Sequence, residues 1–306
     1  MNLTANEFVK IVEVGPRDGL QNEKTPLTIQ QRQAFILDLM QTGLSAIEVG
    51  SCVSAKWVPQ MANSDQLFAM LPKDTNINLS LLTPNLKGFE TALAVGCQEV
   101  AVFTAASESF TRKNINCSID ESFEKFADVL AAAKQKQIKV RGYVSCIVDC
   151  PYEGAIDPKQ VAQVTKRLYD MGCYEVSLGE TIGTATPNRV KKVWQACLAE
   201  LDSNVLAGHF HNTYGMAIAN IYQSLEQGIR IFDASIAGLG GCPYAKGASG
   251  NVSTEDLYYL LSNMGFQTGI QLEALMQASR NISQVLNRQN PSHYANAYWQ
   301  TVEQPH

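Results

Sequence analysis

Apolar residues occur along this chain in short runs that alternate with longer amphipathic stretches. Eight of these runs are rich in aliphatic and β-branched residues, as is typical of strands that are covered on both faces. The runs are Val9–Val14, Ala46–Val49, Ile77–Leu82, Glu99–Thr104, Val140–Ile147, Tyr174–Leu178, Val205–His211 and Ile231–Ile236. They recur at roughly 30 residues, the length of one strand–helix unit. The pattern therefore predicts eight parallel strands, each followed by a helix.

The stretches between the runs carry the periodicity and the end signals of helices. Val161, Val164 and Leu168 recur at helical spacing and predict a buried helix face. Helix starts are predicted at Asp157-Pro158, at Thr186-Pro187, at Ser118 with Glu121, and at Ser253 with Asp256. Helix ends are predicted at glycines that suit a left-handed backbone, namely Gly43, Gly96, Gly172 and Gly228. Strands and helices therefore alternate throughout the chain.

Eight strand–helix units within 306 residues predict an α/β protein with a (β/α)8 (TIM) barrel, a fold that reaches this length as one domain. We expect a single domain over residues 1–306, with the barrel at about 8–265 and a helical C-terminal extension at about 266–306. The alternative is a doubly wound sheet, which usually carries a Gly-x-Gly-x-x-Gly turn after its first strand. Here that turn reads Gly15-Pro16-Arg17-Asp18-Gly19, which favours the barrel.

Composition and charge argue against several classes of protein. A net charge of −5 without a basic stripe is unsuited to a nucleic-acid partner. No apolar segment is long enough to cross a membrane. The N-terminus has no leader-type segment, so we expect a cytoplasmic protein. The eight cysteines are scattered singly without a Cys-x-x-Cys pair, which excludes a zinc ribbon and predicts free thiols.

Metal-binding side chains follow several predicted strands at their carboxyl ends, where barrel enzymes carry their active sites. His209 and His211 lie one residue apart in a strand, so both imidazoles point to the same side. Asp18 follows the first strand, and Asn251 lies beyond the eighth. One carboxylate, two imidazoles and an amide oxygen suit Mg²⁺ or Mn²⁺ better than structural zinc. The alternative is that these are ordinary polar, turn or cap residues.

Arg17, Glu48 and Cys242 also lie at predicted strand ends. The guanidinium of Arg17 suits an enolate or carboxylate oxygen. The alternative role for Arg17 is an ion pair with Glu48. Arg17 can have both roles if Glu48 orients the guanidinium toward the substrate. Cys242 follows the glycine-rich run Gly238–Gly241, where the chain bends sharply and a thiol can act as a proton donor. A buried, inert thiol is the alternative for Cys242. The glycine run has no Walker pattern for binding phosphate.

The motifs around these residues resemble the 3-hydroxy-3-methylglutaryl-CoA lyase family, which belongs with isopropylmalate synthase among the metal-dependent barrel lyases and aldolases. The resemblance covers nearly the whole chain. The motifs are Val14–Glu23, Lys56–Met61, Gly142–Cys146, Ser177–Gly183, Gly208–Thr213, Gly238–Tyr244 and Gly247–Val252. Within the superfamily, the Cys-Pro-Tyr sequence that begins at Cys242 narrows the resemblance to the lyases.

The resemblance implies cleavage of 3-hydroxy-3-methylglutaryl-CoA to acetyl-CoA and acetoacetate, as in leucine degradation. It implies a divalent cation, chelated by the hydroxyl and carboxylate oxygens of the substrate. Asp18 or a metal-bound group would take the hydroxyl proton, Arg17 would stabilise the enolate, and Cys242 would protonate its carbon. The implied metal ligands are Asp18, His209, His211 and Asn251. The implied catalytic residues are Arg17, Asp18, Glu48, His209 and Cys242.

The resemblance also implies residues that line the CoA path or the acyl pocket, and it suggests a homodimer. These residues are Gln21, Asn114, Tyr143, Ser177 and Glu180. Three positions depart from the family pattern: Glu180 replaces the usual Asp, Cys52 the usual Phe, and Ala55 the usual Pro. The extra methylene of Glu180 puts the role of its carboxylate in doubt. A smaller residue at position 52 predicts a pocket that admits a longer branch than methyl.

Three alternative functions remain open at this point. A related lyase would act on a longer-chain 3-hydroxy-3-alkylglutaryl-CoA. A related aldolase or condensing synthase would form the carbon–carbon bond, but such synthases typically have a longer C-terminal regulatory region than the roughly 50 residues after Asn251. A non-catalytic barrel that binds metal or CoA would be expected to lack Asp18, a histidine or Cys242, and all are present.

Overall fold

The computed structural model describes residues 6–242 and 245–303, with the backbone alone between residues 241 and 249. The strands are β1 (Lys10–Glu13), β2 (Ala46–Ser51), β3 (Asn78–Leu82), β4 (Glu99–Ala105), β5 (Lys139–Ser145), β6 (Asp149–Cys150), β7 (Gly154–Ala155), β8 (Glu175–Glu180), β9 (Leu206–Phe210), β10 (Ile231–Ala234), β11 (Gly241–Cys242) and β12 (Ala245–Ser249). Eight of them form a closed parallel barrel in the order β1-β10-β9-β8-β5-β4-β3-β2, and four form the hairpins β6–β7 and β11–β12. The predicted (β/α)8 barrel is confirmed, and each predicted run coincides with one barrel strand.

Helices follow the barrel strands and continue beyond the last of them. They are α1 (Ile29–Met40), α2 (Ser64–Ala69), α3 (Leu86–Ala94), α4 (Glu108–Ile115), α5 (Ile119–Lys136), α6 (Pro158–Asp170), α7 (Pro187–Leu198), α8 (Ala217–Glu226), α9 (Thr254–Asn263), α10 (Leu272–Val285) and α11 (His293–Glu303). None of the helices in residues 6–242 and 245–303 has the length and apolar character to cross a membrane.

The predicted helix ends agree with the structure. Ser118 takes part in a reciprocal capping box at the start of α5, and the side chains of Asp157 and Ser253 cap α6 and α9. Thr186 also occupies the cap position of α7, but its side chain makes no capping hydrogen bond. The fixed φ of Pro187, the first residue of α7, favours the helix start instead. The four predicted helix-end glycines all have a left-handed φ, between 80° and 114°.

The two faces of each barrel strand have different surroundings because successive side chains point to opposite sides. One face packs against the helices in the main hydrophobic core, to which Ile47 and Phe232 belong. The other face points to the barrel axis. A small separate apolar cluster shares this second face, and it consists of Val12, Val14, Ala46, Ala207 and Ile231. Polar side chains occupy the remaining axis-facing positions near the carboxyl ends of the strands and form the site described below.

The C-terminal helices are joined to the barrel by packing and by hydrogen bonds. Helix α10 packs against α1, and α11 packs against α9. Ser279 of α10 donates a hydrogen bond to Glu255 in the first turn of α9. Glu255 in turn accepts the backbone N–H of Ala237, in the loop after β10. The extension therefore contacts the loop that leads from the last barrel strand toward Asn251.

Candidate active site

Asp18 lies in a π-helical turn, Gly15–Gly19, that immediately follows β1. The turn packs closely against the loop after β10: a Cβ on Gly19 would lie 2.7 Å from both Leu239 Cβ and Ser235 Oγ. Only glycine fits at this contact. The close approach brings Asp18 to Asn251, whose Nδ2 donates a hydrogen bond of 2.8 Å to Asp18 Oδ2. The residues predicted after the first and eighth strands are therefore in direct contact.

His209 is the penultimate residue of β9, and His211 follows the strand on the same side of the chain, as predicted from their spacing. Their ring centroids are 5.3 Å apart. His211 also pairs with Asn251 through an isolated antiparallel bridge. One ligand atom from each of Asp18, His209 and His211 lies within 4.8 Å of the others, a separation compatible with a single metal ion. The structure thus brings the four residues predicted as metal ligands to one place.

The two imidazoles differ in their hydrogen bonding. His209 Nδ1 lies 3.1 Å from Asp233 Oδ2, and its Nε2 lies on the side of Asp18, 3.9 Å from Oδ2. His211 Nδ1 is buried and has no hydrogen-bond partner among the described residues. A buried nitrogen without a partner is costly unless a ligand such as a metal ion occupies its lone pair. This donor set therefore fits a divalent cation.

Asn251 would contribute to such a site through its amide oxygen. In the structure its amide nitrogen faces Asp18 and also donates to the carbonyl of Leu239 at 3.2 Å. Metal ligation requires the oxygen, because an amide nitrogen has no available lone pair, so the amide would have to turn over. The position of Asn251 agrees with the prediction, and its orientation is that of a hydrogen-bond donor to Asp18.

The charges at the site suit metal ligands at neutral pH. Burial favours the neutral form of Asp18, but Arg17 and the two histidines outweigh it and lower the pKa of this carboxyl to about 2. Burial and the neighbouring His209 lower the pKa of His211 to about 4. Burial also disfavours the charged form of His209, but the hydrogen bond to Asp233 outweighs it and raises the pKa. Asp18 is therefore an anion and His211 a neutral imidazole at neutral pH.

Arg17 is fixed by two carboxylates. Its Nε donates to Glu48 Oε2 at 2.5 Å, and its Nη1 donates to Asp18 Oδ1 at 2.7 Å. The guanidinium carbon lies 5.5 Å from the centre of the Tyr143 ring. Burial raises the pKa of Glu48 despite the contact with Arg17. The predicted ion pair between Arg17 and Glu48 is present and orients the arginine beside Asp18.

Two of the predicted substrate-binding residues contribute to hydrogen bonds inside the barrel. Ser177 is fully buried and donates to Asp233 Oδ2 at 2.7 Å. The hydroxyl of Tyr143 accepts a hydrogen bond of 2.7 Å from Arg141 Nη1. Both side chains therefore support the site from the interior. The ring of Tyr143 lies under Arg17.

The other predicted substrate-binding residues lie outside the metal cluster. Asn114 is exposed on α4 and donates to the carbonyl of Phe110. Gln21 is partly buried just beyond the turn that holds Asp18. Glu180 is at the end of β8, on the strand face opposite to Ser177, and neither of its buried carboxylate oxygens has a hydrogen-bond partner among the described residues. Burial raises the pKa of Glu180 to about 7.

These positions bear on two departures from the family pattern. Glu180 points away from the barrel axis, so its extra methylene is directed to the outer layer and not toward the metal ligands. Cys52 packs against the main core, with its Cβ 3.4 Å from a Cβ built on Gly88 of α3. The interpretation that a small residue at position 52 enlarges the substrate pocket is not supported by this placement.

Cys242 ends β11, but its side chain lies outside the described part of the structure, as do Pro243 and Tyr244 entirely. The backbone of this hairpin is anchored at both ends: Gly250 N–H donates to the carbonyl of Gly240 at 3.0 Å, and the preceding loop contacts the turn of Asp18. The predicted proton donor therefore belongs to a segment that starts and ends beside the metal ligands.

Sequence reasoning missed the buried charged residues that hold the site residues, or the loops that carry them, in place. Asp233 and Arg141 lie within predicted strands, and a charged side chain inside an apolar run is the signal that would have found them. Glu13 is buried on the opposite face of β1 and accepts hydrogen bonds from the backbone N–H groups of Gly15 and Ile236. It thus ties together the loops after β1 and β10.

A closed parallel barrel with one carboxylate and two imidazoles at its carboxyl end defines an α/β-barrel protein with a candidate divalent-metal site. The chain belongs to the HMGL-like family, whose profile matches residues 8–282. It is 55% identical to the hydroxymethylglutaryl-CoA lyase of Pseudomonas mevalonii, over 94% of this chain and 95% of that protein.

Two further relatives come from Pseudomonas aeruginosa. One is named a 3-hydroxy-3-isohexenylglutaryl-CoA/hydroxy-methylglutaryl-CoA lyase and is 54% identical over 94% of this chain and 96% of its own length. The other is a crystal structure of a hydroxymethylglutaryl-CoA lyase, which superposes with a TM-score of 0.95 at 53% identity and covers 97% of this chain and 99% of that one. The resemblance found from the motifs is confirmed, and the family is one of lyases.

Proposed function

We propose that this protein is a divalent-metal-dependent lyase that cleaves 3-hydroxy-3-methylglutaryl-CoA to acetyl-CoA and acetoacetate. The observation that carries the proposal is the cluster of Asp18, His209 and His211 at the carboxyl end of the barrel, in a chain whose relatives are named for this reaction. Asn251 lies in hydrogen-bond contact with the same cluster. A CoA-thioester is therefore the expected substrate, and Mg²⁺ or Mn²⁺ the expected cofactor.

The side chains of the site suit the steps of a retro-Claisen cleavage. A bound Mg²⁺ or Mn²⁺ would act as a Lewis acid on the hydroxyl and carboxylate oxygens of the substrate and orient them. Asp18 or a metal-bound group would take the proton of the tertiary hydroxyl, whose oxygen becomes the ketone of acetoacetate as the adjacent carbon–carbon bond breaks. The electron pair of that bond passes to the thioester as an enolate. Asp18, with a pKa of about 2, is better suited to ligation than to strong proton acceptance.

Arg17 is placed to stabilise the enolate. Nε binds Glu48 and Nη1 binds Asp18, while Nη2 has no hydrogen bond to the described residues. A guanidinium already held by two carboxylates needs little reorganisation as charge develops on the substrate oxygen. The enolate carbon must then take a proton to give acetyl-CoA, and the thiol of Cys242 is the group proposed to donate it.

The experiment that tests this function is an assay of 3-hydroxy-3-methylglutaryl-CoA cleavage by the purified protein with Mg²⁺, with Mn²⁺ and with EDTA. We expect acetyl-CoA and acetoacetate in equal amounts with either metal, and loss of both products in EDTA that is restored by excess metal. Cleavage that persists after complete metal removal would rule out the metal-dependent mechanism. No cleavage with metal bound would rule out this substrate and leave the alternatives below.

Cys242→Ala tests the proton donor. We expect turnover to fall by roughly 10²–10⁴-fold, as for the loss of a general acid, while the substrate still binds. Cys146→Ala is the matched control, since Cys146 is a buried thiol whose high pKa, raised by burial, makes it a poor proton donor. Near-normal turnover of Cys242→Ala would make this thiol structural.

A lyase for a longer-branched substrate is a second candidate, because the Pseudomonas aeruginosa relative is named for both 3-hydroxy-3-isohexenylglutaryl-CoA and the methyl compound. The two candidates are distinguished by kcat/KM for the methyl and the isohexenyl thioesters, measured side by side. A ratio near one or in favour of the longer branch would support the second. A condensing synthase would instead join acetyl-CoA to an oxo acid and release free CoA, in an assay that supplies both.

We also propose that residues 1–306 work as one catalytic domain, as a cytoplasmic homodimer within leucine degradation. The hydrogen bond between Ser279 and Glu255, which joins α10 to the barrel, supports a single unit of barrel and extension. Sedimentation velocity of the full chain would test the dimer. A monomeric mass at micromolar concentration would exclude it.

A further inference from the structure

Asp233 lies between His209 and a buried arginine in the barrel interior, and the comparisons and the motifs leave it without a role. We infer that Asp233 is a positioning residue: it holds His209 in the tautomer whose Nε2 lone pair is free for the cation. The inference rests on the metal site of the proposed function and names a determinant of that site. It does not depend on which CoA-thioester is the substrate.

The position of Asp233 follows from the strand register. Asp233 on β10 is directly in register with His209 on β9, so the two side chains share the axis-facing side. Asp233 Oδ2 lies 3.1 Å from His209 Nδ1, and the carboxylate is 2% exposed. A neutral imidazole has one N–H donor and one acceptor nitrogen. Because an ionised carboxylate only accepts, the proton is on Nδ1, and Nε2 keeps its lone pair on the side of Asp18.

The carboxylate of Asp233 is itself held by further donors. Arg141 Nη2 donates to Oδ1 at 2.7 Å, and the Ser177 hydroxyl donates to Oδ2 at 2.7 Å. Arg141 is 2% exposed and is fixed in turn by Glu175, which accepts from its Nε at 2.6 Å. Partners of this kind, which bind the other nitrogen of a metal-ligating histidine, typically change metal affinity 10–100-fold when they are lost.

Asp233→Asn tests this role because Arg141 fixes the orientation of the asparagine side-chain amide. Arg141 is only a donor, so the amide oxygen must face Arg141 and the NH₂ group must face His209. The donor then faces Nδ1, which must accept, and the proton of the imidazole moves to Nε2. Nε2 has then lost its free lone pair. The substitution preserves the size of the side chain and reverses the tautomer.

The first readout is the tautomer itself, measured without metal or substrate. We expect long-range ¹H–¹⁵N correlation spectra of ¹⁵N-histidine-labelled protein in EDTA at pH 8 to place the proton of His209 on Nδ1 in the wild type. In Asp233→Asn we expect the proton of His209 on Nε2. His209→Gln assigns the signals among the four histidines of the chain. A wild-type proton on Nε2 would overturn the inference, and this spectrum decides even if the variant fails to fold.

The second readout is Mn²⁺ affinity of the apoprotein, followed by electron paramagnetic resonance. We expect Asp233→Asn to bind Mn²⁺ about 10–100-fold more weakly. Glu175→Gln is the matched control, because it makes the same change to another buried partner of Arg141 and does not contact His209. Its affinity should stay within about threefold of wild type. Equal losses in both variants, or none in Asp233→Asn, would overturn the inference; neither readout uses the substrate, so inactivity toward it would leave this test intact.

Discussion

Buried carboxylates on the two faces of the barrel wall have opposite electrostatic properties. Asp18 and Asp233, inside, lie beside Arg17 and Arg141 respectively and beside His209, which hold their pKa values well below the usual range. Glu13, on the outer face of β1, accepts two backbone N–H groups and the hydroxyl of Thr254, with no cation in contact among the described residues. Burial raises its pKa to about 7.

The same contrast extends to Glu255, whereas Glu48 departs from it. Glu255, also between the barrel and the outer helices, accepts from Ala237 N–H and Ser279, and burial raises its pKa. Glu48 has a mixed character, since burial raises its pKa although Arg17 contacts it. Neutral donors satisfy a buried carboxylate but do not keep it ionised against desolvation. The two aspartates inside the barrel, Asp18 and Asp233, therefore stay charged at neutral pH, while Glu13 and Glu255 tie loops together on the side of the helices.

Arg141→Met removes the cation that binds Asp233 and Glu175 inside the barrel, and it should have the largest effect on stability. It leaves Asp233 buried beside an apolar side chain and Glu175 with Lys10 as its remaining cation, which typically costs about 3–5 kcal/mol. Without Arg141 the folded-state pKa of Asp233 rises above that of the unfolded chain. Stability is then lost as pH increases, so the deficit is larger at pH 8 than at pH 5. Urea unfolding in EDTA at both pH values measures it.

Arg32→Met is the matched control for that experiment. Arg32 is also a buried arginine, but it bonds to the carbonyl of Ala62 and the hydroxyl of Ser64 and has no carboxylate partner among the described residues. Its removal should cost about 1–3 kcal/mol for lost hydrogen bonds and packing, with little dependence on pH. Similar pH dependence in the two variants would contradict the idea that the stranded carboxylates cause the deficit.

His211→Ala sharpens the contrast at the metal site. The expected result is joint loss of metal affinity and turnover, of at least the 10–100-fold typical of outer partners of metal-binding histidines. The reason is that His211 supplies a buried nitrogen without another partner. Metal content after dialysis and turnover at saturating metal are the measurements. His293→Ala, an exposed histidine at the start of α11, controls for nonspecific effects, and unchanged metal stoichiometry would remove His211 from the ligand set.

Glu13→Gln should have the smallest effect and the opposite sign. The amide oxygen can still accept from Gly15 and Ile236, and the NH₂ group can donate to Thr254, so the contacts survive. The folded pKa of about 7 exceeds the ordinary 4.5, so the wild type loses stability as pH rises from about 4.5 to 7. The variant should therefore be more stable by about 1–3 kcal/mol at pH 8 and nearly equal at pH 5. A difference independent of pH would be inconsistent with this reasoning.

The architecture and the candidate metal ligands followed from local sequence patterns. Parallel strands that are covered on both faces are almost wholly apolar, so each run was visible without knowledge of its neighbours. The spacing of His209 and His211 fixed their common direction, and the carboxyl ends of the strands placed Asp18 beside them. Both predictions needed only the sequence of short segments and the rule that barrel active sites lie at the carboxyl ends of the strands.

The supporting residues could not be found in the same way, because their roles depend on register between distant strands. Asp233 reaches His209 only because β10 and β9 pair at those two positions. Glu13 and Glu180 both lie on outward-facing positions, which strand patterns alone do not distinguish when both faces are buried. The direction of Glu180, away from the metal ligands, follows from its parity with Ser177 and needed the strand boundaries.

The closure of the barrel has a consequence for how the protein is made. β1 pairs with β10, Lys10 with Ile231, so the first strand meets its second neighbour only after more than 200 further residues have been added. At the usual ~5–20 residues per second of synthesis, that edge stays open on the ribosome for tens of seconds. Asp18, carried directly after β1, therefore has no histidine to face during that time. The residues proposed as metal ligands therefore come together only late in synthesis, once β9 and β10 have been made.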